Sequence, residues 1–148
     1  LLHRTVHVWL VNSQKQILLQ KRSKNKRAYP DCWDISAAGH INSGETSLQA
    51  AIRETREEQG INLPESAFKF LATIKQPTIK HSDNFIDNEF NDIYLVDCNS
   101  DMLEFRLELN EIEEIKWVDK EEFERLVDAR ESLAPRDEEY KILILQIK

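Results

Sequence analysis

Basic charge is in short supply in this chain. Twenty lysines and arginines stand against 27 aspartates and glutamates, which leaves −7 over 148 residues. Phosphate backbones and anionic membranes demand a basic footprint, so neither nucleic acid nor a membrane is an expected partner, and any polyphosphate must be met by local positive charge or metal. Cysteine is scarce as well: Cys32 and Cys98 share no C-x-x-C spacing. That argues against a disulfide scaffold and a zinc site, and fits a reducing cytoplasm. No apolar run approaches the length of a membrane span, and no charged-then-apolar leader opens the sequence. Internal repeats, linkers and low-complexity segments are missing too. With 41% hydrophobic content the chain is long enough for one well-buried core and too short for two ordinary domains, so a single domain over residues 1–148 is expected.

What is present centres on Gly39-His40-Ile41-Asn42-Ser43-Gly44-Glu45, followed after seven residues by Arg53-Glu54-Thr55-Arg56-Glu57-Glu58-Gln59-Gly60-Ile61. Thr46 with Gln49 three residues on is a capping box, and Gly60 stands where a helix hands over to a left-handed residue. The pattern predicts a helix over Ser47 to Gln59. At 100° per residue, Glu54, Glu57 and Glu58 fall within an arc of about 100°, with Leu48, Ala51, Ile52 and Thr55 on the adjacent side. Three carboxylates on one face repel one another unless a cation joins them. Hard oxygen donors around an open site suit Mg²⁺ or Mn²⁺. Arg53, one turn before Glu57, can hold that carboxylate through an i,i+4 ion pair. Taken alone, E-x-x-E-E reads more simply as a solvated helix face.

The full spacing decides otherwise. It resembles the signature of the Nudix hydrolases, G-x5-E-x7-R-E-U-x-E-E-x-G-U with U apolar, and departs at Thr55, which stands where the family usually has an aliphatic residue. The resemblance implies metal ligation by Glu54, Glu57 and Glu58 and by the carbonyl of Gly39. Glu45 shapes the loop or binds a second ion through water. Glu111, six residues before a Trp117-Val118-Asp119 turn, resembles the further ligand or base that this family often supplies there, so either Glu57 or Glu111 assists the water. Carboxylates, Mg²⁺ and local cations are what attack of water on a phosphoanhydride requires. The expected substrate is a nucleoside diphosphate linked to another group.

Elsewhere, Thr5 to Val11 and Ile17 to Leu19 read as a hairpin, with His3, His7 and Trp9 on one face and Val6, Val8 and Leu10 on the other. His7 is expected to be a partnered structural histidine. Lys21 to Arg27 carries five cations in seven residues, and Arg22 and Lys26 are the expected phosphate contacts, against the plainer reading of a solvated loop. Tyr29 could stack on a base, and Trp33 is expected to pack. Asp34 to Gly39 reads as one short small-residue strand. Phe68 to Lys75 reads as a strand with Phe68, Phe70 and Ala72 on one face, Gln76 to Ile86 as a mobile loop beside the site, and Phe90 to Cys98 as a core strand. A strand over Glu111 to Val118 leads into a helix over Lys120 to Ala129, capped by Asp119 and Glu122. Pro135 opens a last helix whose stripe of Tyr140, Leu143, Ile144 and Ile147 needs a partner surface, in the same domain or in a second copy of the chain forming a homodimer. Strands on both sides of a central helix, followed by later helices, suggest an α/β fold with a mixed sheet between helical layers. The resemblance implies the same α/β/α sandwich.

A longer resemblance is to the isopentenyl-diphosphate isomerases, a branch of the Nudix superfamily. His3, Leu18 to Arg22, Lys26, Pro30, Trp33, Ser36, Gly39-His40 and Asp87-Asn88-Glu89 carry it. It implies a second divalent-metal site at His3, His40 and Glu89. The isomerases place their proton-transferring cysteine just before the Gly-His pair. Ala38 stands there and can neither donate nor accept a proton. Asp87 likewise replaces a glutamate. The expected protein is therefore a hydrolase on an isomerase-like scaffold, with an isomerase or a non-catalytic nucleotide-binding module as the alternatives.

Overall fold

The computed structural model describes residues 2–24, 29–80, 85–101, 104–108, 112–130 and 132–147, with backbone alone at 2, 76–80 and 85–88. Among the described residues, seven strands and three α-helices follow one another as β1 (Leu2–Val11), β2 (Gln16–Arg22), β3 (Trp33–Asp34), β4 (Ala37–His40), α1 (Ser47–Gln59), β5 (Phe68–Lys80), β6 (Phe85–Asp97), β7 (Ile112–Asp119), α2 (Lys120–Ala129) and α3 (Asp137–Gln146). The sheet is mixed. β1 runs parallel to β6 and antiparallel to β2 and β4, while β5–β6, β2–β3 and β2–β7 are antiparallel.

β1 and β2 pair where their hairpin closes, at Val11 and Ile17, and then diverge. The short strand expected from Asp34 to Gly39 is split by this fork. β3 pairs with β2 before it, and β4 pairs with β1 after it. Ser36 sits between, accepting from the Leu10 amide at 2.9 Å and donating to the Leu18 carbonyl at 2.5 Å. One hydroxyl thus satisfies a donor and an acceptor that the parting strands leave unmatched. β4 is thereby aimed at α1.

Alternation along β1 feeds two cores. Val6, Val8 and Leu10 pack with Leu18, Ala50, Ala51 and Val96 under α1. Trp9 and Val11 pack with Ile17, Ile93, Phe123, Tyr140 and Leu143 under α2 and α3. Trp9, Phe123 and Tyr140 meet edge to face at 5.5–5.9 Å between centroids, an arrangement worth about 0.5–1.5 kcal/mol per pair beyond burial. The C-terminal stripe is therefore covered from within the chain, since Tyr140, Leu143 and Ile147 are all buried. The result is an α/β/α sandwich.

Three expectations need correction. Gln76 to Ile86 is not a loop over most of its length: β5 continues to Lys80, β6 begins at Phe85, and the two pair throughout. The register shifts between Phe70 and Ala72, so Phe68 and Phe70 lie against Tyr94 whereas Ala72 sits opposite Ile93 on the other face. Asp119 is the N-cap residue of α2 but its side chain makes no cap bond. It accepts from Gln16 instead, and Glu122 takes a two-pronged bond from Arg125.

Candidate functional site

α1 begins and ends on its sequence signals. Thr46 accepts from the Gln49 amide and Gln49 reaches back to the Thr46 amide, while Gly60 closes the helix at φ +71°. Thr55 is fully buried, and its hydroxyl donates to the Ala51 carbonyl one turn back at 2.7 Å. The departure from an aliphatic residue at this position is thus satisfied inside the helix.

The three helix carboxylates occupy different environments. Glu58 is buried and accepts from the Ala38 amide at 2.9 Å, which ties α1 to β4. Glu54 is half-buried and lies against Gly39, where an added Cβ would fall 2.2–2.5 Å from its carboxylate atoms. Glu57 is exposed. Arg53 gathers the rest. Its Nε and Nη2 bond both oxygens of Glu45, its Nη1 bonds Glu54 at 2.7 Å and Glu57 at 3.1 Å, and Nη2 also donates to the His40 carbonyl. One guanidinium therefore fixes the loop and the helix together.

These contacts set the protonation of the cluster. Arg53, with the Asn42 amide, holds Glu45 down at about 2. Burial pushes Glu54 above the usual carboxylate range; Arg53 opposes the shift, while Glu57 and Glu108 add to it. Glu108 was not foreseen from sequence. It follows Leu107 in an irregular segment and its amide donates to the Glu58 carbonyl at 3.2 Å, so no periodicity marks it.

His3 and His40 face each other with ring centroids 6.3 Å apart, and Glu89 is the β6 partner of His3. Three residues distant in sequence thus meet at one corner of the sheet. Among the described residues, however, no three His, Cys, Asp or Glu side chains are placed to hold a metal, here or on α1. Lys26 and Glu111 lie outside the described residues. Arg22 bonds Asp34 at 3.2 Å, and Trp33 is half-buried under the Lys116 ammonium, 4.1 Å from its ring centre. His7 is buried and partnered by Glu139 at 2.8 Å.

Sequence reasoning missed a second charged cluster beside Glu58. Asp34 is buried between two arginines: Arg136 grips it through Nε at 2.7 Å and Nη2 at 3.0 Å, and Arg22 reaches it from β2. Burial alone would raise Asp34, but the arginines and the Ile35 amide outweigh it and bring it below the ordinary value. The signal was a lone carboxylate in a small, apolar stretch, which must find a partner when buried. Nothing local pointed to Arg136, 102 residues away.

A model of the NUDIX domain matches residues 1–141. "Nudix hydrolase 3" of Arabidopsis thaliana is 46% identical over 82% of this chain, which spans only 16% of that protein's length. An isopentenyl-diphosphate Delta-isomerase of Escherichia coli is 29% identical over 87% of this chain and 68% of its own. The solved MutT NUDIX hydrolase of Burkholderia pseudomallei superposes with a TM-score of 0.71 at 21% identity, covering 100% of this chain and 99% of that one.

Proposed function

The chain belongs to the Nudix hydrolase family, and from that premise we propose that it is a metal-dependent pyrophosphohydrolase cleaving the phosphoanhydride of a nucleoside diphosphate linked to another group. The observation that carries this reading is the set of carboxylates, Glu45, Glu54 and Glu57, drawn onto Arg53 beside buried Glu58. Their chemistry fits a hard divalent cation: the donors are all oxygen, and Gly39 leaves a cradle for the Glu54 carboxylate that a Cβ would fill. Glu54, Glu57, Glu58 and the Gly39 carbonyl would hold Mg²⁺ or Mn²⁺. When bound, such an ion lowers the pKa of water and neutralises the leaving phosphate.

The remaining work falls to the chain itself. Glu57 or Glu111 takes the proton of the attacking water on a carboxylate oxygen. Arg53 acts as a positioning residue, since it holds the carboxylates and the His40 carbonyl in one frame. Arg22 and Lys26 contact the phosphates. His3, His40 and Glu89, not placed to share a metal as they stand, would hold a second ion only after drawing together. The segment of 148 residues acts as one domain, in a reducing cytoplasm.

Isomerisation by the cysteine route is excluded chemically by Ala38. A panel of nucleoside diphosphate derivatives with Mg²⁺, with isopentenyl diphosphate assayed alongside for isomerisation, tests the whole reading. Phosphate-bearing products from one nucleotide class are expected, with no dimethylallyl isomer. Glu58→Gln should keep its melting temperature and lose more turnover than the roughly 10–100-fold typical of outer-shell partners of a metal. Near-normal turnover in that variant, or efficient isomerisation, would overturn the assignment. Binding across the panel without cleavage of any phosphoanhydride would indicate a non-catalytic module.

A further inference from the structure

We infer that the cavity between the β1–β2 hairpin, residues 99–101 and Trp117 is a binding site for a neutral sugar ring, separate from the carboxylates on α1. Its volume is about 330 Å³. Sites for drug-sized ligands span roughly 300–1,000 Å³, so there is room for one ring and little more. The cavity lies beyond the end of β1 that β4 does not reach. β4 stops at Val8, and β1 runs on to Val11, about 10 Å further, before the hairpin turns. None of the proposed catalytic or metal-holding residues is in its described lining.

The walls are braced from within the chain. Asn12 Oδ1 accepts from the Gln14 and Gln16 amides at 3.0 and 2.9 Å, and Asn12 Nδ2 donates to Gln16 Oε1 at 2.9 Å. Asn99 Oδ1 accepts from the Ser13 amide at 2.7 Å and the Cys98 amide donates to the Val11 carbonyl, which pins the 99–101 segment to the hairpin. Other polar groups of the lining are left over. Among the described residues nothing bonds Asn99 Nδ2, the Gln14 carboxamide, the Ser100 hydroxyl, the Asp101 carboxylate or the Trp117 indole N–H. Trp117 is the informative one. It is half-buried and meets Phe105 edge to face at 6.4 Å between centroids, and an indole so placed usually finds a partner for its N–H. The Trp9 indole does, on Glu139.

The lining selects its ligand by exclusion. Asp101 is the one ionisable side chain in the described lining. With no cation beside it, it repels an anion, and by itself it supplies too few oxygens for a hard divalent ion. An apolar ligand would strip water from carboxamides and a carboxylate without replacing the lost bonds. Sugar hydroxyls each donate and accept, so they satisfy a carboxamide, a carboxylate and an indole N–H alike. The C–H face of a sugar ring suits the apolar body of the indole. A solvated turn accounts for the Asn12 brace, but not for an unpaired indole N–H on the wall of a braced cavity.

The test is a titration of the isotope-labelled protein with methyl glucopyranoside and methyl ribofuranoside, followed at the indole N–H signals of Trp9, Trp33 and Trp117, with glycerol and sodium phosphate as controls. At least one glycoside should move the Trp117 signal saturably while Trp9 stays still. Asp101→Ala and Gln14→Ala, both at exposed positions, should each weaken that binding, by about tenfold or more where the charged acceptor is lost. Glu58→Gln should bind as tightly as the wild type. No saturable movement of Trp117 with either glycoside, or equal movement with glycerol or phosphate, would overturn the inference. So would affinities of both cavity variants within about twofold of the wild type, or loss of binding in Glu58→Gln, which would put the sugar at the α1 site instead.

Discussion

Gly39 shows how much a single residue can carry here. The three atoms that a Cβ at that position would meet first all belong to the tip of the Glu54 side chain, so Gly39→Ala should leave stability within about 1 kcal/mol of wild type. The displaced carboxylate is a proposed metal ligand, and displacement on the scale of an ångström costs on the order of 10²-fold in rate. Thermal melts and metal-dependent turnover should therefore part company in this variant; if they fall together, Glu54 is a structural group. The motif residues were legible because their spacing is short-range: Arg53 to Glu57 is one helical turn, and Glu45 lies eight residues from Arg53. What the spacing could not give was their inequality. Glu58 is buried, Glu54 half-buried and Glu57 exposed, differences set by β4 lying over one side of α1.

Among the elements, α1 was readable to the residue because its ends are coded locally, by the Thr46–Gln49 box and by Gly60. Gly60 is doubly constrained. It sits at φ +71°, and a Cβ there would come within 2.5 Å of the Arg106 Cβ and 2.6 Å of the Arg106 carbonyl oxygen. The left-handed conformation costs an L-residue about 1–2 kcal/mol before any clash. Gly60→Ala should lower the unfolding free energy by more than that, read as a lower urea midpoint with the m-value retained. A loss under about 1 kcal/mol would mean that the 104–108 segment shifts freely away from the helix end. The β5–β6 ribbon was misread for the opposite reason. Its outer half, from Gln76 to Lys80 and from Phe85 to Glu89, is mostly polar and interrupted by Pro77, and β1 runs beside it only at Asn88 and Glu89. The shift at Leu71 is equally invisible, since a bulge changes the face without changing the composition.

At the scale of the whole molecule, α3 and the segment before it are tied to the sheet by two buried carboxylates, Glu139 and Asp34. Glu139 accepts from His7 and from the Trp9 indole, each at 2.8 Å, and Arg136 grips Asp34. These pairs span 132, 130 and 102 residues, and no sequence period connects them. They predict how the fold responds to acid. Asp34 is held below its ordinary 3.8 and Glu45 falls from 4.5 to about 2. For a carboxyl whose folded value is depressed, the stability it contributes is fully present above the unfolded value and is lost as pH falls through the folded one. Stability should thus decline from about pH 4.5 downward. Glu54 acts with the opposite sign: its raised value means that protonation favours the folded state, so it offsets part of the loss. Arg136→Gln isolates the Asp34 contribution. With only Arg22 and the Ile35 amide left to oppose burial, the folded value of Asp34 moves up, so its ionisation contributes less stability at neutral pH and less is lost on acidification than in the wild type. Urea midpoints measured from pH 2.5 to 7 in EDTA should show the variant below the wild type at neutral pH and the two curves converging as pH falls. Parallel curves would assign the acid sensitivity to the Glu45–Arg53 frame and leave the Asp34 cluster without a role in it.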